Sequence, residues 1–291
     1  MVTENQAVFH PTEYLAGVLR WLRKQPNFQC YTHTRVVSIH EKGVELLGMG
    51  HKSVTVETEA GHLVHAEHVV EATGIPLQKL SVVAELGYYR TYCIAVRVPK
   101  GSVEDCLLCG TGKPYKYVSL TACDDQDDYL VVGGCGHPVG QADTVGRFEV
   151  LEQWARERFP QAGKTDYRWS GQLVEPADGL EFIGKNQGND KVYIVTGGSG
   201  NGLTHGVLAG RLIADDIEGK PNEWAALYSP RRLGGMIRAL PSIVKHDVQL
   251  NLAYERFVGT DITSIAELEP GTGGILDAVS TLPPTIPRAR D

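Results

Sequence analysis

The chain of 291 residues lacks several features that would define its class at once. It has no apolar run near the ~20 residues that a membrane-spanning helix requires, and its start lacks the basic and apolar regions of a signal peptide. It also lacks a basic excess, because 28 Lys and Arg against 35 Asp and Glu give a net charge of −7. We therefore expect a cytoplasmic protein that binds neither membranes nor nucleic acid.

Metal ligands at suitable spacing are also scarce. The six cysteines, which should be reduced in the cytoplasm, include one CxxC pair at Cys106 to Cys109 with no second pair to complete a zinc site. Three histidines fall in a predicted hairpin, where they would alternate between faces: His62, His65 and His68. The sequence therefore predicts no metal site.

Hydrophobic periodicity predicts the order of elements. Pro11 and an apolar stripe predict a first helix that ends before Pro26. Alternating patterns predict strands at 36–39, 54–57, 62–65, 68–74, 92–98, 115–121, 129–133 and 191–196. Further helices are predicted at 145–159, at 203–217 and from Arg232 towards Tyr254, before a loosely ordered tail over 269–291.

Glycine is the residue in excess: 33 of 291, or about 11% against a typical ~7%. The densest group, GGSGNGLTHG from Gly197 to Gly206, lies between a predicted strand and a predicted helix. Backbone N–H groups at the positive end of that helix favour an anionic or electron-rich ligand. A tight turn without a ligand is the alternative, and the loop by itself leaves both open.

A dinucleotide fingerprint is a second interpretation of this loop. Its spacing Gly200, Gly202, Gly206 is similar to that motif, which also needs a following strand in a βαβ unit. No strand is predicted after Gly219, so NAD(P) binding is the weaker alternative.

Four segments in order carry a family resemblance: FHPTEYLAG at 9–17, YRTYCIAVRVPKG at 89–101, YRWSGQLVEPADGLEFIG at 167–184 and VYIVTGGSGNGLTHGVLAG at 192–210. From about Ala7 to Leu276, the chain resembles the D-amino-acid-oxidase-like family of FAD-dependent oxidoreductases. It is most similar to members fused to a C-terminal Rieske domain. The resemblance implies an α/β, FAD/NAD(P)-binding-type fold with α+β elements and an antiparallel-sheet substrate lobe.

The resemblance also implies a domain plan. Residues 1–80 and 170–235 would form an interleaved cofactor-binding lobe, 81–169 the substrate lobe, and 236–291 a C-terminal helix and tail at the entry to a Rieske domain. The family's N-terminal GxGxxG unit, which holds the ADP half of FAD, has no counterpart here, which implies a truncated fold with weakened FAD binding. No cysteine follows Cys135, so no iron–sulfur cluster is expected.

Site residues follow from the same resemblance. The cofactor-binding residues that it implies are Val36 for the adenine, then Ala72, Thr73, Gly74, Gly200, Asn201, Gly202, Leu203 and Thr204. The substrate-lobe candidates over the flavin ring are Tyr115, Tyr117 and His137.

The implied reaction is hydride transfer from a small amine or amino-acid-like donor to FAD, which requires alignment more than an acid or base. A non-catalytic fragment without cofactor is the main alternative. One side of the strand at 69–73 should be an unpaired edge, open to self-association or to a complementing chain.

Overall fold

The structure is a computed structural model. It describes residues 9–43, 45–46, 49–50, 52–77, 86–105, 107–110, 112, 115–139, 146–232, 264, 273–274 and 288–289. The chain divides into two compact units, residues 1–235 and 236–291.

The first helix, α1 (Pro11–Leu22), is confirmed. Pro11 occupies its first turn, and Nδ1 of His10 accepts the Glu13 N–H at 3.4 Å. None of its side chains is buried, and the predicted apolar stripe is exposed, with Leu19 at 40%. Within the described residues, α1 therefore contributes no buried core.

The strands predicted early in the chain are also confirmed. They form a three-stranded antiparallel sheet of order β1-β4-β5, in which β1 spans Val36–Lys42, β4 spans Ser53–Thr58 and β5 spans Leu63–Ala66. Between β1 and β4 in the chain, a short hairpin that was not predicted pairs β2 (Glu45–Leu46) with β3 (Met49–Gly50). The next strand, β6 (Val69–Gly74), belongs to a different sheet. Ile39 and Val54 are buried in a small cluster with Val192.

The middle of the chain forms one five-stranded antiparallel sheet of order β11-β7-β10-β9-β8. Its strands are β7 (Leu86–Pro99), β8 (Leu108–Cys109), β9 (Lys116–Ala122), β10 (Asp127–Pro138) and β11 (Thr165–Pro176). The helix α2 (Arg147–Arg158) packs on one face, where Leu151 and Ala155 are buried against Ile94 and Leu130. We call residues 86–176 the antiparallel lobe.

Strand β11 was not predicted from the sequence. Residues 167–172 within it are partly or fully exposed, so it shows no buried alternating face, and it continues across the predicted lobe boundary at residue 170. It forms the edge of the sheet and pairs along its length with β7. An edge strand that buries little side-chain surface leaves a weak pattern in the sequence.

A mixed three-stranded sheet of order β12-β13-β6 completes the first unit. Its remaining elements are β12 (Phe182–Lys185), which was not predicted, β13 (Val192–Thr196), α3 (Gly202–Ile217) and the short α4 (Ala225–Tyr228). We call residues 36–74 and 182–232 the parallel-strand lobe, because β13 and β6 run parallel. Among the described residues β6 pairs only with β13, and the unpaired edge expected from the sequence stays a prediction.

In the second unit, the described residues form one antiparallel pair, β14 (Gly273–Gly274) with β15 (Arg288–Ala289). The helix predicted from Arg232 towards Tyr254 and the rest of the predicted tail lie outside the described residues. No described helix has the length and apolar character needed to cross a membrane.

Candidate functional site

Two loops leave the mixed sheet at the same end, where the parallel strands β6 and β13 both finish. The parallel pairing sets Thr196, the last residue of β13, opposite Gly74, the last residue of β6. The Thr196 hydroxyl donates to the Gly74 carbonyl oxygen at 2.5 Å and joins the two strand ends. In open α/β sheets, ligands bind beyond the carboxyl ends of parallel strands, and this edge is such a place.

The first glycines of the loop after β13 are required by packing. Gly197 has a φ of +86°, and a Cβ there would lie 2.4 Å from Cγ of Pro176. A Cβ at Gly198 would lie 3.1 Å from the Cα of Gly202. The Ser199 N–H donates to the Val174 carbonyl at 3.0 Å. These contacts fix the loop against the end of β11.

The later glycines of the loop face open space. Nothing lies within 4 Å of the position that a Cβ would take at Gly200 or at Gly202. Asn201 is the N-cap of α3, but its side chain makes no capping hydrogen bond, and the first turn carries no acidic residue. The first N–H groups of a helix have no acceptor inside the helix. The loop therefore presents an open, electropositive surface.

The other residues implied for the cofactor lie at the same edge, with one exception. Ala72, Thr73, Leu203 and Thr204 are all exposed there. Val36, which begins β1, packs instead against the cluster that contains Val192, the first residue of β13. The structure thus brings the two loops together and places Val36 towards the opposite end of the strands.

A buried carboxyl group lies beneath the loop, and sequence reasoning missed it. Glu181 is only 4% exposed, and its Oε1 is 3.5 Å from the position of a Cβ at Gly198. Its Oε2 lies 2.9 Å from Nδ1 of His205 in the first turns of α3. Burial raises the pKa of Glu181 to about 7. The only signal in the sequence was an acidic residue inside the apolar run LEFIG.

Tyr115 and Tyr117 lie on the sheet face opposite α2. Side chains alternate along a strand, and Val118 faces the α2 core, so Tyr117 points the other way. Its ring covers Gly133, where a Cβ would be 2.1 Å from its Cζ, and its hydroxyl lies 3.1 Å from Sγ of Cys93. Burial raises the pKa of Tyr117. Tyr115 is 52% exposed, with its ring centroid 6.1 Å from that of Tyr117.

His137 lies on the α2 side of the sheet instead. Its Nε2 accepts from the Tyr92 hydroxyl at 3.0 Å, and its Nδ1 donates to the Pro138 carbonyl at 2.9 Å. Tyr92 belongs to the core under α2 and packs edge-on against Phe148. The structure therefore does not bring His137 together with the two tyrosines.

The geometry also bears on the two other kinds of site considered from the sequence. Within the described ranges, no group of three or more His, Cys, Asp or Glu side chains could hold a metal ion. Between α3 and Arg232 the chain forms only α4 and turns, so residues 218–232 add no strand to complete a βαβ unit. The dinucleotide fingerprint lacks its structural context there.

Comparison with known proteins assigns the family. The chain belongs to the DAO family of FAD-dependent oxidoreductases, whose profile matches residues 1–216. A putative Rieske 2Fe-2S iron-sulfur protein, YhfW of Bacillus subtilis (strain 168), is 23% identical over 94% of this chain and 52% of its own length. Glycine oxidase of Bacillus licheniformis is 30% identical over 35% of this chain and 30% of its own length.

Solved structures show the same fold. The crystal structure of glycine oxidase from Geobacillus kaustophilus has a TM-score of 0.55 and 23% identity, over 69% of this chain and 53% of that chain. The chain thus spans about half the length of the first relatives that it matches.

Proposed function

We propose that this chain supplies the flavin-ring loop and the substrate-facing sheet of an FAD-dependent oxidoreductase that oxidises a small amine or amino acid. The observation that carries the proposal is that the carboxyl ends of β6 and β13 lie side by side, so that both loops leave the sheet at one place. Relatives named as glycine oxidase support the substrate class.

The residues at this edge fit a flat, electron-accepting ring. Gly200 and Gly202 leave open space where side chains would otherwise stand, so a ring can approach the backbone closely. The N–H groups that begin α3 would stabilise negative charge on the edge of the ring that faces them. When bound, FAD supplies the hydride acceptor. Asn201, free of a capping bond, would add a polar contact.

We propose that the open face of the antiparallel lobe covers the substrate. The raised pKa of Tyr117 keeps its hydroxyl protonated at neutral pH, so it can donate a hydrogen bond. Tyr115 is exposed beside it and would exclude water from the bound amine. His137, with both ring nitrogens bonded, holds the irregular end of β10 instead.

We propose that further polypeptide attaches along the side of β6 that has no partner strand among the described residues. The sequence contains no GxGxxG loop, so the ADP half of FAD has no phosphate-binding loop of that kind within these 291 residues. Charge-assisted hydrogen bonds are worth roughly 1.5 to 3 kcal/mol each, so FAD should bind weakly without them. A complementing strand, from this or another polypeptide, would pair with β6 and strengthen binding.

Titration with FAD, followed by the visible absorbance of bound flavin, tests the proposal. Gly200→Asn adds bulk to the open loop, whereas Gly61→Asn makes the same change in the β4–β5 turn. Both positions have a positive φ, +85° and +82°, and both face open space, so the conformational costs match. We expect FAD to bind at least tenfold more weakly to Gly200→Asn and unchanged to Gly61→Asn.

Two results would overturn the proposal. One is a wild-type protein for which titration with FAD gives no absorbance signal of bound flavin, which would favour a non-catalytic chain without cofactor. The other is equal FAD affinity in the two variants, which would place any bound flavin away from the loop.

A further inference from the structure

The pair formed by Glu181 and His205 is the feature of the site that the proposed function leaves unexplained. Glu181 comes from the turn that leads into β12, and His205 from the first turns of α3. Their Oε2 and Nδ1 atoms are 2.9 Å apart, directly beneath the glycine loop. Burying a carboxyl group is costly unless a partner compensates it, so this contact requires a physical account.

The other charged groups nearby are already paired. The Arg232 guanidinium donates to both carboxylate oxygens of Asp178, at 2.7 and 2.8 Å, and to the backbone carbonyls of Leu180 and Glu181 at 2.6 and 3.1 Å. It thus binds the main chain of Glu181, whereas the side chain faces His205. Tyr228, from α4, contacts the His205 ring at 6.4 Å between centroids. Among the described residues, His205 is therefore the ionisable side chain that meets the Glu181 carboxyl group.

We propose that Glu181, buried beside His205, holds an exchangeable proton beneath the glycine loop and couples the binding of an electron-rich ring there to proton uptake from solvent. The inference rests on the proposed function, since the ring is the flavin. While the Glu181 carboxyl group holds its proton it is neutral and does not oppose an anionic ring above. Loss of that proton puts a negative charge beneath the loop and opposes such a ring.

The environment of the carboxyl group places this exchange in the neutral range. Burial raises the pKa of Glu181 to about 7, so the carboxyl group changes charge near neutral pH. Ionisation at higher pH puts a negative charge next to the positive end of α3 and cancels part of its attraction for an anion. Glu181 therefore acts by changing the charge beneath the glycine loop, and it need not touch the substrate.

The test compares wild type with Glu181→Gln, which keeps the size of the side chain but cannot ionise. Glu157→Gln is the control: it makes the same change on the exposed surface of α2, in the antiparallel lobe and away from the glycine loop. The dissociation constant of dithionite-reduced FAD is measured at pH 6 and pH 8 for all three proteins. In the cofactor-free proteins, the infrared carboxyl band of Glu181 is followed over the same range.

We expect the wild-type dissociation constant, taken relative to that of Glu181→Gln, to rise about fivefold between pH 6 and pH 8, within the limit of tenfold per pH unit for one coupled proton. Glu157→Gln should follow wild type. The infrared band of Glu181 should titrate near neutral pH in wild type and in Glu157→Gln, and should be missing in Glu181→Gln. Should Glu181→Gln fail to fold, Glu181→Met, which also cannot ionise, is the second variant and should also flatten the pH dependence of binding.

The outcomes separate this inference from the proposed function. Binding with the same pH dependence in wild type and Glu181→Gln would overturn the coupling alone. A carboxyl group already ionised at pH 5 in the cofactor-free protein would also overturn it, whatever flavin does. No binding of FAD to wild type at any pH would overturn the proposed function and the coupling with it.

Discussion

The two lobes of the first unit differ in how fully they enclose their own cores. The antiparallel lobe is built from one continuous stretch, and its core completely buries Ile94, Leu130 and Leu151 between the sheet and α2. The parallel-strand lobe joins segments that lie far apart in the chain, its buried clusters are smaller, and one of them includes Leu86 of the antiparallel lobe. Its strand β6 ends in an unpaired edge among the described residues.

This difference shows where the stability and the chemistry of the protein lie. The antiparallel lobe has one large buried cluster of its own, whereas the parallel-strand lobe combines smaller clusters with a few long-range ties. The proposed cofactor loops lie on the second lobe. A site of this kind is sensitive to the loss of one hydrogen bond or ion pair between segments that lie far apart in the chain.

Arg232→Ala should have the largest effect, because it removes a tie of the parallel-strand lobe. The guanidinium holds Asp178 and lies 3.9 Å over the Phe182 ring. Its loss removes the cation from a carboxylate whose side chain is only 13% exposed, which costs about 3–5 kcal/mol. Urea unfolding followed by Trp224 fluorescence, with the other three tryptophans replaced by Phe, measures it. The exposed pair Arg35 with Glu59 is the control: Arg35→Ala should cost under about 1 kcal/mol. Equal losses of unfolding free energy in Arg232→Ala and Arg35→Ala would show that Arg232 does not stabilise this lobe.

Leu130→Ala tests the core of the antiparallel lobe. Leu130 is fully buried, so the substitution removes apolar contacts and leaves a cavity, with an expected loss of about 3 kcal/mol. Unfolding is followed by the fluorescence of Trp154 on α2 as the only tryptophan. Leu63→Ala in β5 changes an exposed side chain and should be nearly neutral. A loss below 1 kcal/mol for Leu130→Ala would show that this core is not closed.

Glu181→Gln should change how stability depends on pH. The folded protein raises the pKa of Glu181 from 4.5 to about 7, so protonation favours the folded state. That contribution is complete below pH 4.5 and is lost as pH rises through about 7; it amounts to no more than about 3 kcal/mol. The wild-type free energy of unfolding, minus that of the variant, should fall between pH 5 and pH 8. A constant difference would contradict the burial of this carboxyl group.

Leu19→Ala on α1 should have the smallest effect, below about 0.5 kcal/mol, because Leu19 is exposed and Ala is the better helix former. Leu151→Ala on α2 is the matched reference in a helix of equal length, and its fully buried side chain should cost about 3 kcal/mol. Urea unfolding measures both. A loss above about 1.5 kcal/mol for Leu19→Ala would show that the apolar face of α1 is covered in solution.

Local patterns in the sequence predicted much of the fold. The three longer helices and most strands appear where periodicity and turn residues place them, because those patterns act over a few neighbouring residues. The sequence did not predict β11, which is a largely exposed edge strand, or the short strands β2, β3, β8 and β12, which span two to four residues. The glycine loop was found because its glycines stand together between a strand and a helix.

Relations between distant residues were not predictable in this way. Tyr117 and His137 were grouped as candidates, but the alternation of β9 and the irregular register of β10 place them on opposite faces of the sheet. The pairing of Glu181 with His205 likewise depends on how the turn before β12 packs under α3. Neither relation leaves a pattern within a short window of sequence.

By itself, the sequence determined that a glycine-rich bend would join β13 to α3, because backbone conformation and periodicity are local properties. Only the tertiary structure decided what that bend adjoins: a strand end 122 residues earlier in the chain, joined through Thr196 and Gly74, and a buried carboxyl group beneath. The physical reason is that strand pairing and burial are settled by the packing of distant segments.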